Sequence, residues 1–192
     1  MPPFNPKYRI SAIEKAKAIL EQQPVFLDTE TTGLNRDDEI VEISIIDFDE
    51  SILMSELVRP RKKIPDEAYF IHGISNEMVA GEKPFYVLWQ EIRSILFGRT
   101  IAIYNAEYDL RLLQQTYSQY GQPWRENFTT ACIMLLFAEY MGEWDIRRNS
   151  YRIYSLEKAG KMMGITLPNS HRAADDARLT RALLIAIAHS KE

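Results

Sequence analysis

Apolar and polar positions along the chain fall into two periods, one of two residues and one of three to four, and together they predict an alternating set of strands and helices. Val25–Thr29 is a mostly apolar run of β-branched and aromatic residues, stopped a few positions on by Gly33, and reads as a strand. Glu39–Asp49 and Ser51–Val58 continue the two-residue alternation, and the short turn at Asp49-Glu50 predicts an antiparallel hairpin. Thr100–Tyr104 and Thr130–Met134 supply a fourth and a fifth strand. Helical spacing over 11–23, with Ser11 as cap and Pro24 as stop, predicts a helix packed at the sheet's edge. Further helices are expected at Phe85–Phe97, from Asn105 to near Gly121, up to about Met141, at Leu156–Met163 behind a Ser155 cap, and from about Arg172 to His189. Residues 1–8 hold three prolines and no period, and read as a loose tail. No repeat or linker divides the remainder, so the expected organisation is a tail and helix over 1–24 and one domain over 25–192.

Several acids break this pattern. Asp28 and Glu30 stand two apart on the first strand, and i and i+2 share a face. Two carboxylates side by side on a largely buried strand repel one another and lose hydration. Either the strand ends there in solvent, or a hard, oxygen-preferring cation such as Mg²⁺ or Mn²⁺ lies between them. Asp109 falls within ~40° of Leu113, Thr116 and Tyr120 on its helix, on the inward stripe. Asp176 occupies the middle of another inward stripe, Ala173, Asp176, Thr180, Leu183 and Ile187. Four inward acids from three elements, with no buried base evident beside them, fit a shared cluster around about two dications. Such a pair is the usual device for in-line attack at phosphorus, and His171, just ahead of the Asp176 helix, suits the general base.

Composition narrows the partners. Apolar residues make up 46% and charged residues 26%, the balance of an ordinary globular protein. No apolar run approaches the ~20 residues of a membrane span and no signal peptide is apparent, so a cytoplasmic protein without a membrane partner is expected. The single cysteine, Cys132, reads as a small buried hydrophobe. A net charge of −4 excludes tight binding of nucleic acid by bulk charge alone, leaving local, metal-assisted contact. Two stretches remain open between solvated loop and nucleic-acid contact: the basic run Arg59–Lys63, and the polar, aromatic and arginine-bearing connector 142–153.

In chain order, Asp-Thr-Glu-Thr-Thr-Gly-Leu at 28–34, Ile-His-Gly-Ile at 71–74, Tyr-Asn-Ala-Glu-Tyr-Asp at 104–109 and His-Arg-Ala-Ala-Asp-Asp-Ala at 171–177 resemble the motifs of the DnaQ-like DEDDh 3′–5′ exonucleases. The likeness runs over roughly 25–188. It implies an α/β, ribonuclease-H-like fold: a mixed five-stranded sheet with helices on both faces. It implies that Asp28, Glu30, Asp109 and Asp176 hold two divalent cations, Mg²⁺ or Mn²⁺, with His171 as general base. It further implies substrate contacts from Thr31, Leu34, His72, Asn105 and Tyr108, with Leu34 against the last base and the Thr31 backbone near the terminal 3′-hydroxyl. Tyr104 stands where the family commonly has His.

The expected activity is hydrolysis of the terminal phosphodiester at single-stranded 3′ ends, DNA favoured over RNA, releasing nucleoside 5′-monophosphates. Two other readings stay open at this stage. One is an exoribonuclease of the oligoribonuclease or ribonuclease T kind; the other is a non-catalytic polymerase-accessory subunit.

Overall fold

Alternation along one strand decides which layer receives each functional side chain. The computed structural model describes residues 6–167 and 170–191; residues 1–5 of the expected tail lie outside them. The chain runs α1 (Pro6–Glu21), β1 (Val25–Thr31), β2 (Ile40–Ile46), β3 (Ile52–Leu57), α2 (Asp66–His72), α3 (Asn76–Val79) and α4 (Phe85–Leu96). It continues through β4 (Thr100–Ile103), α5 (Ala106–Ser118), β5 (Thr129–Cys132), α6 (Ile133–Met141), β6 (Trp144–Asp145), β7 (Ser150–Tyr151), α7 (Leu156–Met162) and α8 (Ala173–Ala188). The main sheet has the order β3-β2-β1-β4-β5, which puts β1 at its centre. β1, β2 and β3 pair antiparallel, while β4 and β5 join parallel to β1 and to each other.

Odd and even residues of β1 serve different layers. Phe26 packs with Ala12, Ile13 and Ala16 of α1, Phe137 of α6, and Ala177, Leu183 and Ile187 of α8. Val25 and Leu27 face the other way, into Leu88, Trp89 and Ile92 of α4 and Leu112 and Leu113 of α5. Each large side chain withdrawn from water in these layers contributes roughly 1.5–3 kcal/mol. A smaller cluster of Val41, Ile64, Ala68, Ile74 and Val79 holds α2 and α3 beside the antiparallel half of the sheet. Among the described residues no helix is long and apolar enough to cross a membrane.

Several local expectations are corrected. α1 starts at Pro6, so residues 6–8 are helix rather than tail, and Ser11 lies inside the helix instead of capping it. A proline at the first helical position gives up no hydrogen bond and is already set at a helical φ. α1 does not lie at the sheet's edge: it packs against α6 and α8 and its alanines enter the main core. Asn105 occupies the N-cap position of α5 without making a side-chain cap, whereas Ser155 Oγ does accept the Lys158 amide at 3.3 Å. Cys132 is only partly buried and donates from Sγ to the Tyr104 carbonyl at 3.4 Å. The run after β3 is an exposed loop, one of the two readings left open for it, and the Arg61 and Lys62 amides both donate to Glu39 Oε2. The connector 142–153 contains the small hairpin β6–β7.

Candidate active site

β1 runs further than its parallel neighbour. β4 ends at Ile103, while β1 continues through Asp28 and Glu30 to Thr31, and the first turn of α5 fills the space beside it. Asp28 and Glu30 share the parity of Phe26 and therefore face α8, where Asp176 lies one turn in from the helix start. Carboxylate oxygens of Asp28, Glu30 and Asp176 lie within 4.8 Å of one another. Thr29 has the opposite parity and faces α5, where its hydroxyl donates to Asp109 Oδ1 at 2.8 Å. Asp109 is thus held from the other layer, outside the tight trio but on the same 270 Å³ cavity. That cavity is lined by Asp28, Glu30, Asp109, Asp176 and His171, with Asn105 and Tyr108 at its side. All five residues expected to carry the chemistry are brought together.

His171 is exposed and immediately precedes α8, with a left-handed φ of 51°. Its neighbour Arg172 forks onto Glu42 of β2, with Nε 3.0 Å from Oε1, and the Ala173 amide donates to the same carboxylate at 2.9 Å. Glu42 sits opposite Glu30 in the β1–β2 register. The base missing from the sequence reading is therefore Arg172, and it neutralises Glu42, a further acid beside the four, while fixing the start of α8. Thr29, Glu42 and Arg172 were not foreseen as part of the site. A polar Thr between two acids on a buried strand is the only hint the sequence offered.

Crowding shows in the acids' proton affinities. Burial, then the charges of Asp109, Asp176, Glu30 and Glu42, hold the Asp28 carboxyl well above the usual range. Burial and the Asp176 charge push Glu30 up to about 8, and burial pushes Asp109 up to about 7. An all-oxygen donor set, desolvated and mutually repelling, fits hard dications that would replace the protons. The sign of the pH dependence follows. Folded values above the unfolded ~4 stabilise the fold fully below about pH 4, and that contribution is lost as pH climbs through 7 to 8. The melting temperature in EDTA should therefore fall from about pH 5 to about pH 8. Saturating Mn²⁺ at the upper end should restore roughly 5–10 °C, the equivalent of about 2.7 kcal/mol at a hundredfold excess over Kd. A flat profile in EDTA, or no response to Mn²⁺, would rule out a cation-dependent acid cluster.

A second cavity, of about 490 Å³, adjoins the first through Thr29, Glu30 and Tyr108. Thr31, Leu34, His72 and Tyr108 line it, with Ile71 and Ala68 of α2. Leu34 is 78% exposed at its mouth. The Tyr108 hydroxyl donates to the Gly33 carbonyl at 2.9 Å and lies 2.9 Å from Thr31 Oγ1. A Cβ on Gly33 would stand 2.7 Å from Asp38 Oδ2, so a larger residue in this turn would displace the Asp38 side chain. His72 Nδ1 accepts the Ile74 amide at 3.0 Å while Nε2 lies 3.2 Å from the Thr31 carbonyl, which fixes a neutral, Nε2-protonated ring. Burial also lowers its pKa. Tyr104, buried, donates its hydroxyl to the Tyr154 carbonyl at 2.8 Å.

A central strand that delivers acids to two layers, met by acids from the helices on both sides, defines a nuclease of ribonuclease-H-like fold. The RNase_T exonuclease family model matches residues 25–184, and the chain belongs to this DnaQ-like exonuclease family. It is 40% identical over 181 residues to the uncharacterized exonuclease CP81 of Escherichia phage 186, covering 91% of this chain and 93% of that one. It is 28% identical to the DNA polymerase III subunit epsilon of Treponema pallidum, over 84% of this chain and 75% of the relative. Among solved structures, exonuclease X in complex with 5′ overhanging duplex DNA aligns with a TM-score of 0.61 at 30% identity, covering 85% and 89% of the two chains. E. coli exonuclease I with single-stranded DNA aligns at 0.63 and 20% identity, over 83% of this chain and 39% of that one, a likeness of fold.

Proposed function

We propose that this exonuclease is a DEDDh enzyme that degrades single-stranded DNA from its 3′ end in the cytoplasm, releasing nucleoside 5′-monophosphates. The observation that carries the reading is the meeting of Asp28, Glu30 and Asp176 within 4.8 Å, with Asp109 and His171 on the same cavity. Asp28, Glu30, Asp109 and Asp176 would hold two divalent cations, Mg²⁺ or Mn²⁺, which would supply Lewis acidity for the hydrolysis. His171 accepts the proton of the attacking water. The new phosphorus–oxygen bond forms as the bond to the 3′-oxygen of the penultimate nucleotide breaks, which leaves the phosphate on the departing 5′-nucleotide. Leu34 and the apolar wall of Ile71 and Ala68 receive the terminal base, and Tyr108 and Thr31 shape the rim around its sugar. Asn105 lines the cleft on the side of the next nucleotide. The exonuclease X complex with DNA supports a DNA substrate.

Matched DNA and RNA oligomers, incubated with Mg²⁺ or Mn²⁺ and followed by chromatography of the released mononucleotides, test the reading. Stepwise 5′-monophosphate release from the 3′ end of DNA, stopped by EDTA, is expected. Preferred cleavage of RNA would instead favour an oligoribonuclease-like role, and binding without cleavage under either cation a non-catalytic subunit.

A further inference from the structure

The β6–β7 hairpin is the polar and aromatic stretch that the site leaves unused. Trp144 pairs across it with Tyr151, and Asp145 with Ser150. Tyr151 meets Trp144 edge-on at 5.4 Å and Tyr8 of α1 at 5.8 Å, which braces the hairpin's base against the body. At the tip, Asp145 Oδ1 accepts the Arg147 and Arg148 amides at 2.9 and 3.3 Å, and Asn149 turns the chain with a φ of 50°. Ile146, Arg147 and Arg148 are consequently presented to solvent from a fixed base.

Charge at this place runs against that of the whole. Between residues 144 and 161 five basic side chains face two acidic ones, in a chain of net charge −4. Arg152 pairs with Glu143 and Lys161 with Glu157, but Arg148 reaches Asp145 only at 3.9 Å. Among the described residues Arg147 forms no ion pair. The hairpin also leads straight to the acid cavity: Tyr154 accepts from Tyr104, and Ser155, Leu156 and Glu157 line the cavity itself. Five steps of the chain lead from Ser150 to Ser155, a reach of at most about 17 Å.

We propose that Arg147 and Arg148 form a phosphate-binding site for the part of a single DNA strand that lies upstream of the bond being cut. The inference rests on the exonuclease reading above. Guanidinium forks match phosphate oxygens two at a time, and an exposed Ile146 between them and the base offers apolar contact to sugars and bases. An acidic protein needs such a local foothold, because its overall field repels the substrate. The foothold serves only strands long enough to span from cavity to hairpin.

Fluorescence anisotropy with 5′-fluorescein-labelled oligothymidylates of ~4 and ~20 nucleotides, in EDTA over a series of NaCl concentrations, tests the proposal. The R147A/R148A double variant should bind the long oligomer about fivefold or more weakly at low salt, with a slope of log K against log salt shallower by about 1.4. It should bind the short oligomer like the wild type and, in a separate assay with Mg²⁺ in place of EDTA, release mononucleotides from it at the wild-type rate. R147K/R148K should recover most of the slope, because charge is kept. An unchanged slope, or equal losses on both lengths, overturns the hairpin site while leaving the exonuclease reading intact. A wild type that neither binds nor cleaves either oligomer overturns both.

Discussion

Asp28→Asn is expected to abolish turnover and, in EDTA at about pH 8, to raise the melting temperature. Asn keeps the volume and removes the charge that Asp109, Asp176, Glu30 and Glu42 all oppose. Relief of that repulsion is worth about 1 kcal/mol or more, or roughly 2–4 °C in a chain of this size. Turnover should fall by more than about 10³-fold, beyond the ~10²–10³ of removing one electrostatic donor from an active site, because a cation ligand is lost. Mn²⁺ should no longer raise the melting temperature of the variant as it does the wild type. Turnover within about tenfold of wild type would remove Asp28 from the centre. A lower melting temperature in EDTA would mean that the acids are held by partners other than cations.

His171→Asn should lower kcat by about 10²–10⁴-fold, the span of a general base, with KM little changed. Asn is the informative replacement because His171 has a left-handed φ of 51°, a backbone that Asn tolerates and Ala resists. The variant removes the base without disturbing the start of α8, which Arg172 and Ala173 pin to Glu42 independently. Its melting temperature should match that of the wild type, so a loss of rate cannot be assigned to misfolding. Near-normal kcat would transfer the proton to another acceptor, and a large rise in KM alone would make His171 a substrate contact.

Legibility in the sequence divided along physical lines. β1 and the α8 stripe could be read because each repeats on its own period, and an acid on a buried stripe contradicts that period visibly. Asp28, Asp109 and Asp176 were legible for this reason. Contacts between distant polar residues were not: Thr29 meets Asp109 across 80 positions and Arg172 meets Glu42 across 130. Nothing local at Arg172 distinguishes a residue that anchors a helix from one that faces solvent. The start of α1 was missed because Pro6 reads as a breaker when it is a good first residue, and its outer turns carry no apolar period. Asn105 shows the opposite failure, a residue of capping type at the capping position that leaves the cap unmade.

β1 hands its alternate residues to opposite layers, and this makes its length unforgiving. Adding or deleting one residue ahead of Asp28 would swap the parities, turning Asp28 and Glu30 toward α5 and Thr29 toward α8. The ladder to β2 could re-form almost whole, yet the acids would no longer share a cavity. Substitutions at the other positions of this strand have graded effects, but indels do not, and the spacing from Val25 to Glu30 is as much a part of the catalytic apparatus as the side chains.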